Sequence, residues 1–186
     1  ANNTIFKKNQ PITISASSSV DAGLKLYVND ILLNQTTGKN ISATHTFTES
    51  GNNWLIAEAT AGNETKTDSL LVFIREDGIL ETKPVSYKKG INYPTDTSAA
   101  LVLWAPHKDF VFVLGDFNNW QPDNNFQMKK DGDFFWLEIP NLQKGKEYLF
   151  QYFIDGEIKI ADPYSEKIVD PWNDSYISAE TYPGLI

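Results

Sequence analysis

The sequence predicts an all-β chain built from two tandem β-sandwiches. Apolar and polar residues alternate over short segments, Gly, Pro, Asn and Asp separate those segments, and no long stretch has the 3.6-residue period of an amphipathic helix. The 186 residues are 41% hydrophobic and 13% aromatic, which is enough apolar surface for two cores of modest size.

We predict that residues 1–76 form an immunoglobulin-like β-sandwich of about seven strands. Alternation in "ATHTFT" gives one buried and one solvated face, as an antiparallel sheet packed on one side requires. The chain has no cysteine, so the disulfide of antibody-type domains is absent. The predicted strands are residues 11–17, 24–30, 43–49, 53–60 and 68–75.

The boundary between the domains is predicted near Asp77. The segment "EDGILETKPVSYKKGINYPTDT" contains two prolines, two glycines and several charges, which interrupt any longer strand. The second domain is therefore predicted over residues 77–186.

The second domain is predicted to be another β-sandwich, richer in aromatic residues. Two-residue turns at Asp131-Gly132 and Asp155-Gly156 are strong hairpin signals. Aromatic residues recur at period two, and we expect each of them in the core. They are Trp104, Phe110, Phe112, Phe117, Trp136, Tyr148, Phe150 and Tyr152. The predicted strands are residues 99–106, 109–117, 133–140, 147–156 and 157–163.

Composition excludes several classes of partner and site. The net charge of −8 and the lack of a Lys/Arg run disfavour nucleic acid and anionic membranes. No apolar segment approaches the length of a membrane span. Without cysteines, and with His45 and His107 far apart, we expect no metal site and no cofactor. A neutral polar ligand fits this composition best.

The second half carries an ordered set of motifs: "LWAP", "VFVLGDFNNW", "MKKDGDFFWLEIPNL", "GKEYLFQYFIDG" and "ADPYSEKIVDPWND". Over residues 90–183 this order resembles the N-terminal early-set β-sandwich of the α-amylase family, glycoside hydrolase family 13. That domain is related to carbohydrate-binding module family 48 and to the glycogen-binding module of the AMP-activated kinase β subunit.

The resemblance implies a carbohydrate site at Trp120, Asn118 and Asn119. An indole face stacks on the apolar face of a glucose ring, and amides hydrogen-bond its hydroxyls. The kinase-type modules also use a Lys and a second Trp, whose positions hold Gln151 and Ile158 here. Trp120 therefore has two open interpretations, a glucan contact or a packing residue.

For the tail that begins "VDPWNDSY", the same resemblance implies contact with another domain. In the α-amylase family this segment leads toward the catalytic barrel, so Trp172, Tyr176 and Tyr182 are candidate interdomain contacts. Packing within their own domain is the open alternative.

Catalysis is not expected on this chain. A glycosidase needs two carboxylates flanking the scissile bond, whereas most aspartates of the second half stand beside Gly, Pro or Asn, where they commonly cap turns. An α-amylase-type barrel needs roughly 250 residues of alternating strands and helices, and no such pattern occurs.

The resemblance therefore implies the non-catalytic N-terminal region of a longer bacterial protein that processes α-1,4/α-1,6-glucans such as starch or glycogen. We expect an extracytoplasmic location, docking to a C-terminal barrel outside this chain, and glucan binding. The alternatives are a purely structural or protein-interaction module and a free-standing glycan sensor.

Overall fold

The computed structural model of the chain describes residues 4–169. They form strands with a single short 3-10 turn at Asn124–Phe126, which confirms the all-β class. Within this range no helix has the length and apolar character needed to cross a membrane. The chain divides into two compact units, one up to Asp77 and the other from Gly78.

Over residues 4–77 the first unit is one hydrogen-bonded sheet of five strands in the order β1-β5-β4-β2-β3. Its strands are β1 (Thr4–Lys7), β2 (Pro11–Val28), β3 (Ile31–Thr46), β4 (Gly51–Ala61) and β5 (Glu64–Arg75). β1 pairs in parallel with β5, and the other pairs are antiparallel.

Two long strands take the place of the larger number of short ones that we expected. The register of β2 against β3 shifts between Ser17 and Ala22, and a bulge of this kind bends a strand. Ile14 before the shift and Leu24 after it belong to the same buried cluster. The bent sheet thus encloses one core. The prediction of about seven strands was wrong, because β2 and β3 each continue through a bend where we expected separate strands.

The described part of the second unit, residues 78–169, has seven strands in two sheets, β6-β7-β10-β9 and β12-β11-β8. Buried side chains of both sheets, among them Leu101, Phe135, Val113 and Tyr152, form a single cluster, which makes the unit a β-sandwich. The strands are β6 (Gly90–Thr95), β7 (Ser98–Trp104), β8 (Val111–Gly115), β9 (Lys129–Asp131), β10 (Phe134–Ile139), β11 (Phe150–Ile154) and β12 (Ile158–Ile160).

The structure corrects one of the predicted core aromatics. Trp104 is 47% exposed, whereas the others are buried or partly buried. Leu101 and Leu103 of β7 point into the core, so Trp104 lies on the opposite face. The last β6 partner along this strand is Gly90, opposite Val102, and the ladder with β6 ends before it reaches Trp104.

The segment before β6 adds to the edge of the second unit. Leu80 bridges Lys130 of β9 in parallel, and Trp136 Nε1 donates a hydrogen bond of 2.9 Å to the Glu81 carbonyl. The Glu81 carboxylate also accepts from Lys129 Nζ at 2.8 Å. Residues 79–81 therefore cover part of the outer face of β10.

Candidate functional site

The "GDFNNW" turn follows β8 and has an unusual backbone. Asn119 and Trp120 have φ angles of 54° and 58°, in the left-handed region that larger residues rarely adopt. The Trp120 amide donates to the Gly115 carbonyl at 3.1 Å. Such strain persists only where surrounding interactions fix the backbone. In this turn, the fixing interactions come from its own side chains.

Asn118 closes the turn on the end of β8. Its Oδ1 accepts from the Gly115 amide at 2.8 Å, and its Nδ2 donates to the Val113 carbonyl at 2.8 Å. Because both polar groups of the amide are engaged by the backbone, the side chain positions the turn.

Asp116 fixes the indole of Trp120. One carboxylate oxygen accepts from Trp120 Nε1 at 3.2 Å, and the other accepts from the Leu149 amide at 2.9 Å. Sequence reasoning treated this aspartate only as a turn residue and missed the link. The sequence carried no signal for it, because a spacing of four residues brings side chains together in a helix, whereas this segment is a turn.

The surface beyond this link combines an aromatic ring with amide groups. Trp120 is partly buried, and Asn119 and Gln121 are exposed. The side chains of these two residues form no hydrogen bond with another described residue, so their donors and acceptors face solvent. A planar apolar ring beside amides matches the two kinds of surface that a sugar presents.

The turn is anchored to the core from below. Phe117 stacks on Phe126 with 4.9 Å between ring centroids and an interplanar angle of 18°, and both pack against the core cluster. A Cβ atom at Gly115 would lie 2.5 Å from the Leu149 carbonyl oxygen, so only glycine fits there.

The two positions that depart from the kinase-type pattern lie in the sheet next to this turn. Gln151 of β11 stands opposite Leu114, one step from the pair of Phe150 and Gly115. Its neighbour Tyr152 is in the core, so Gln151 faces the other side of the sheet. Ile158 of β12 is 42% exposed and presents an aliphatic side chain.

A buried polar pair holds the "ADPY" segment on the core. Tyr152 Oη donates to Asp162 Oδ2 at 3.5 Å, and the Tyr164 amide donates to Asp162 Oδ1 at 2.9 Å. Burial raises the pKa of the Asp162 carboxyl and places the pKa of the Tyr152 hydroxyl well above its usual value. The pair orders the segment that carries Tyr164.

Two groups of predictions stay predictions. Trp172, Tyr176 and Tyr182 lie outside the described residues, so their interdomain role stays a prediction. Among residues 4–169 no group of three or more His, Asp or Glu side chains is arranged to hold a metal ion.

Comparison with known proteins shows what this chain is similar to. Residues 88–172 match the family described as carbohydrate-binding module 48 (isoamylase N-terminal domain). The 1,4-alpha-glucan branching enzyme GlgB of Clostridium perfringens is 33% identical over 113 residues, which are 55% of this chain and 17% of that protein. The GlgB of Lactiplantibacillus plantarum is 30% identical over 94 residues, which are 49% of this chain and 14% of that protein.

Among solved structures, a pullulanase from Anoxybacillus sp. LM18-11 aligns with a TM-score of 0.36 at 14% identity, over 89% of this chain and 26% of that chain. The chain thus spans a small part of the length of the proteins it matches.

Proposed function

We propose that the second unit is a non-catalytic α-glucan-binding module of an α-amylase-family enzyme, because residues 88–172 match the carbohydrate-binding module 48 family. The observation that carries the proposal is the fixed, partly exposed indole of Trp120 beside the free amide of Asn119.

In this proposal Trp120 stacks on a glucose ring and Asn119 hydrogen-bonds a hydroxyl of the same chain. Asn118 and Asp116 position the ring through the hydrogen bonds that they make within the protein. The second N–H of the Asn118 amide can still donate to a sugar hydroxyl. A ring that is fixed before binding loses little conformational entropy when the sugar arrives, which favours affinity.

The remaining parts of the proposal concern the protein beyond the described residues. The chain spans 17% of the branching enzyme it matches in C. perfringens, and this supports a catalytic barrel C-terminal to the module. Trp172, Tyr176 and Tyr182 would contact that barrel, and a glucan held nearby would gain effective concentration at its active site. Fractionation of the producing bacterium checks the extracytoplasmic location that we propose.

Titration with maltoheptaose and β-cyclodextrin, followed by calorimetry, tests the glucan site. We expect saturable binding that Trp120→Ala abolishes and Asn119→Ala weakens several-fold. Trp54→Ala is the matched control, because Trp54 is an exposed tryptophan of the first unit and its loss should leave the affinity unchanged.

The second candidate function is a structural or protein-interaction module without sugar binding. Gln151 and Ile158 favour it, because they replace two residues with which the kinase-type modules hold glycogen. No heat of binding at millimolar sugar, with Trp120→Ala indistinguishable from the parent, would establish this alternative against the glucan site.

A further inference from the structure

A second group of aromatic side chains lies at the sheet of β6, β7, β9 and β10, which does not carry the "GDFNNW" turn. Trp104 at the end of β7 stands directly opposite Phe134 at the start of β10. Trp104 is 47% exposed and Tyr164 39% exposed. We call Trp104, Phe134, Tyr164 and the adjacent Lys89 the Trp104 patch.

Lys89 stands among the three rings of this patch. Its Nζ lies 5.3 Å from the ring centroid of Trp104, 5.9 Å from that of Phe134 and 6.0 Å from that of Tyr164. It forms no ion pair and no hydrogen bond with any other residue in the range 4–169. The ammonium group therefore keeps its three donors for a ligand.

A second lysine–tryptophan pair on the same sheet shows what a purely structural arrangement looks like. Lys129 Nζ lies 4.4 Å from the ring centroid of Trp136, and it is ion-paired with Glu81 at 2.8 Å. Trp136 is only 5% exposed and donates to a backbone carbonyl. Within residues 4–169 the Trp104 patch has neither such an ion pair nor such a cover.

The patch is held in place by the core. The Tyr164 amide donates to Asp162 at 2.9 Å, and Asp162 is 2% exposed. A Cβ atom at Gly90, whose φ is +87°, would lie 2.7 Å from Tyr164 Cβ. The Tyr164 side chain thus packs directly against the backbone of Gly90.

We propose that the Trp104 patch is a second carbohydrate site, which binds a neutral α-glucan segment. Trp104 stacks on the apolar face of one glucose ring, Tyr164 flanks the next, and Lys89 donates hydrogen bonds to their hydroxyls. The ammonium disfavours a cationic ligand, and the net charge of −8 disfavours an anionic one. The choice of α-glucan rests on the proposed function.

The two sites lie on different sheets of the second unit, because Trp104 is on β7 whereas Trp120 belongs to the turn after β8. They are therefore expected to bind independently. A long polysaccharide reaching both would bind more tightly than a short oligosaccharide through effective concentration.

Indole signals in the NMR spectrum of the ¹⁵N-labelled chain test the proposal. The sequence contains five tryptophans, whose indole signals single Trp→Phe substitutions assign. On titration with maltoheptaose we expect a saturable shift of the Trp104 signal that persists in Trp120→Ala. Lys89→Gln should weaken that response several-fold. The Trp54 signal should not move, because Trp54 is 47% exposed like Trp104 but stands outside the patch.

The outcomes separate this inference from the proposed function. A shift at Trp120 with a silent Trp104 would overturn the second site and keep the first. A shift at Trp104 with a silent Trp120 would support the second site and overturn the role of Trp120. Silence of both at millimolar sugar, or equal shifts at Trp54, would overturn the second site. An affinity unchanged in Lys89→Gln would overturn the donor role of that lysine.

Discussion

Asp116 shows how one side chain can determine the orientation of a binding ring. Its two oxygens accept from groups far apart in the chain, the Trp120 indole and the Leu149 amide. A carboxylate can serve both donors, whereas a neutral amide has only one oxygen. The proposed site therefore requires a carboxylate, and not an amide, at position 116.

We predict that Asp116→Asn lowers both glucan affinity and stability. The new NH₂ group would face either the indole or the backbone N–H, and the lost hydrogen bond costs on the order of 1–2 kcal/mol. Maltoheptaose affinity should fall several-fold, and chemical denaturation should show the stability loss. Asp123→Asn is the matched control, because asparagine retains the ability of this side chain to accept from the Asn125 amide. Equal effects of the two substitutions would contradict the argument.

Gly115 is required because the chain just before β11 approaches the end of β8 closely. The Cβ of Gly115→Ala would lie 2.5 Å from the Leu149 carbonyl oxygen and 2.8 Å from Phe117 Cζ, and a backbone atom cannot move aside cheaply. We expect a loss of about 2–3 kcal/mol in the stability of the second unit, measured by urea unfolding. Gly78→Ala should be nearly neutral, since its nearest neighbour would be 3.6 Å away. A stable Gly115→Ala chain would argue against this strand pairing.

Asp162 predicts a pH dependence of stability. Burial raises its folded pKa above the ordinary value of 3.8, so between these two values the folded chain binds more protons than the unfolded chain. The contribution of protonated Asp162 is therefore complete below the unfolded pKa and is lost as the pH rises through the folded pKa.

Asp162→Asn should remove this dependence. Asparagine can accept from the Tyr164 amide and donate to the Tyr152 hydroxyl without burying a charge. The stability of the variant relative to the parent should increase as the pH is raised from the acid range toward neutrality, measured by denaturant unfolding at each pH. Parallel curves for the two proteins would show that Asp162 does not carry the effect.

At the level of elements, the sheet of β7 and β10 shows what alternation predicts and what it does not. Period two did not show which face of these strands is buried in the core, because we expected Trp104 and Trp136 there, whereas the structure places Leu101 and Phe135 there. It could not separate Trp104 from Trp136, since both lie on the outer face and only the second is covered. Its cover includes Tyr87, 6.2 Å away between ring centroids, and Glu81, both far away in sequence.

The sequence likewise predicted only part of the candidate site. The motif located the "GDFNNW" turn and its ring, because those residues are contiguous. The roles of Leu149 at Asp116 and of Gly90 beneath Tyr164 depend on chain crossings that a single sequence does not reveal. Likewise, the polar segment of β3 around Gln35 pairs with β2, although its side chains gave no strand signal.

The segment at residues 79–82 should contribute to the stability of the second unit. It supplies the bridge to Lys130, the ion pair to Lys129 and the carbonyl that accepts from Trp136 Nε1. We predict that a chain of residues 83–186 unfolds at lower urea concentration than a chain of residues 78–186. Near-ultraviolet circular dichroism should show a change in the environment of Trp136. Coincident unfolding curves would assign the segment no structural role.

At the level of the whole molecule, the two units have separate cores. One buried cluster contains Leu26 and Val72 of the first unit, and the other contains Leu103 and Tyr152 of the second. Both proposed glucan sites lie in the second unit. Stability of the first unit and sugar affinity should therefore be separable by substitution.

We predict that Leu26→Ala lowers the thermal transition of the first unit without changing glucan affinity. Leu26 and Leu103 are each 1% exposed, so each truncation to alanine should cost about 2–5 kcal/mol through lost burial and a cavity. Calorimetry should show a shifted first-unit transition in Leu26→Ala, whereas maltoheptaose affinity below that transition stays at the parent value. Leu103→Ala, which disturbs the core between the two sheets, should shift the other transition. A fall in affinity with Leu26→Ala equal to that with Leu103→Ala would mean that the first unit takes part in sugar binding.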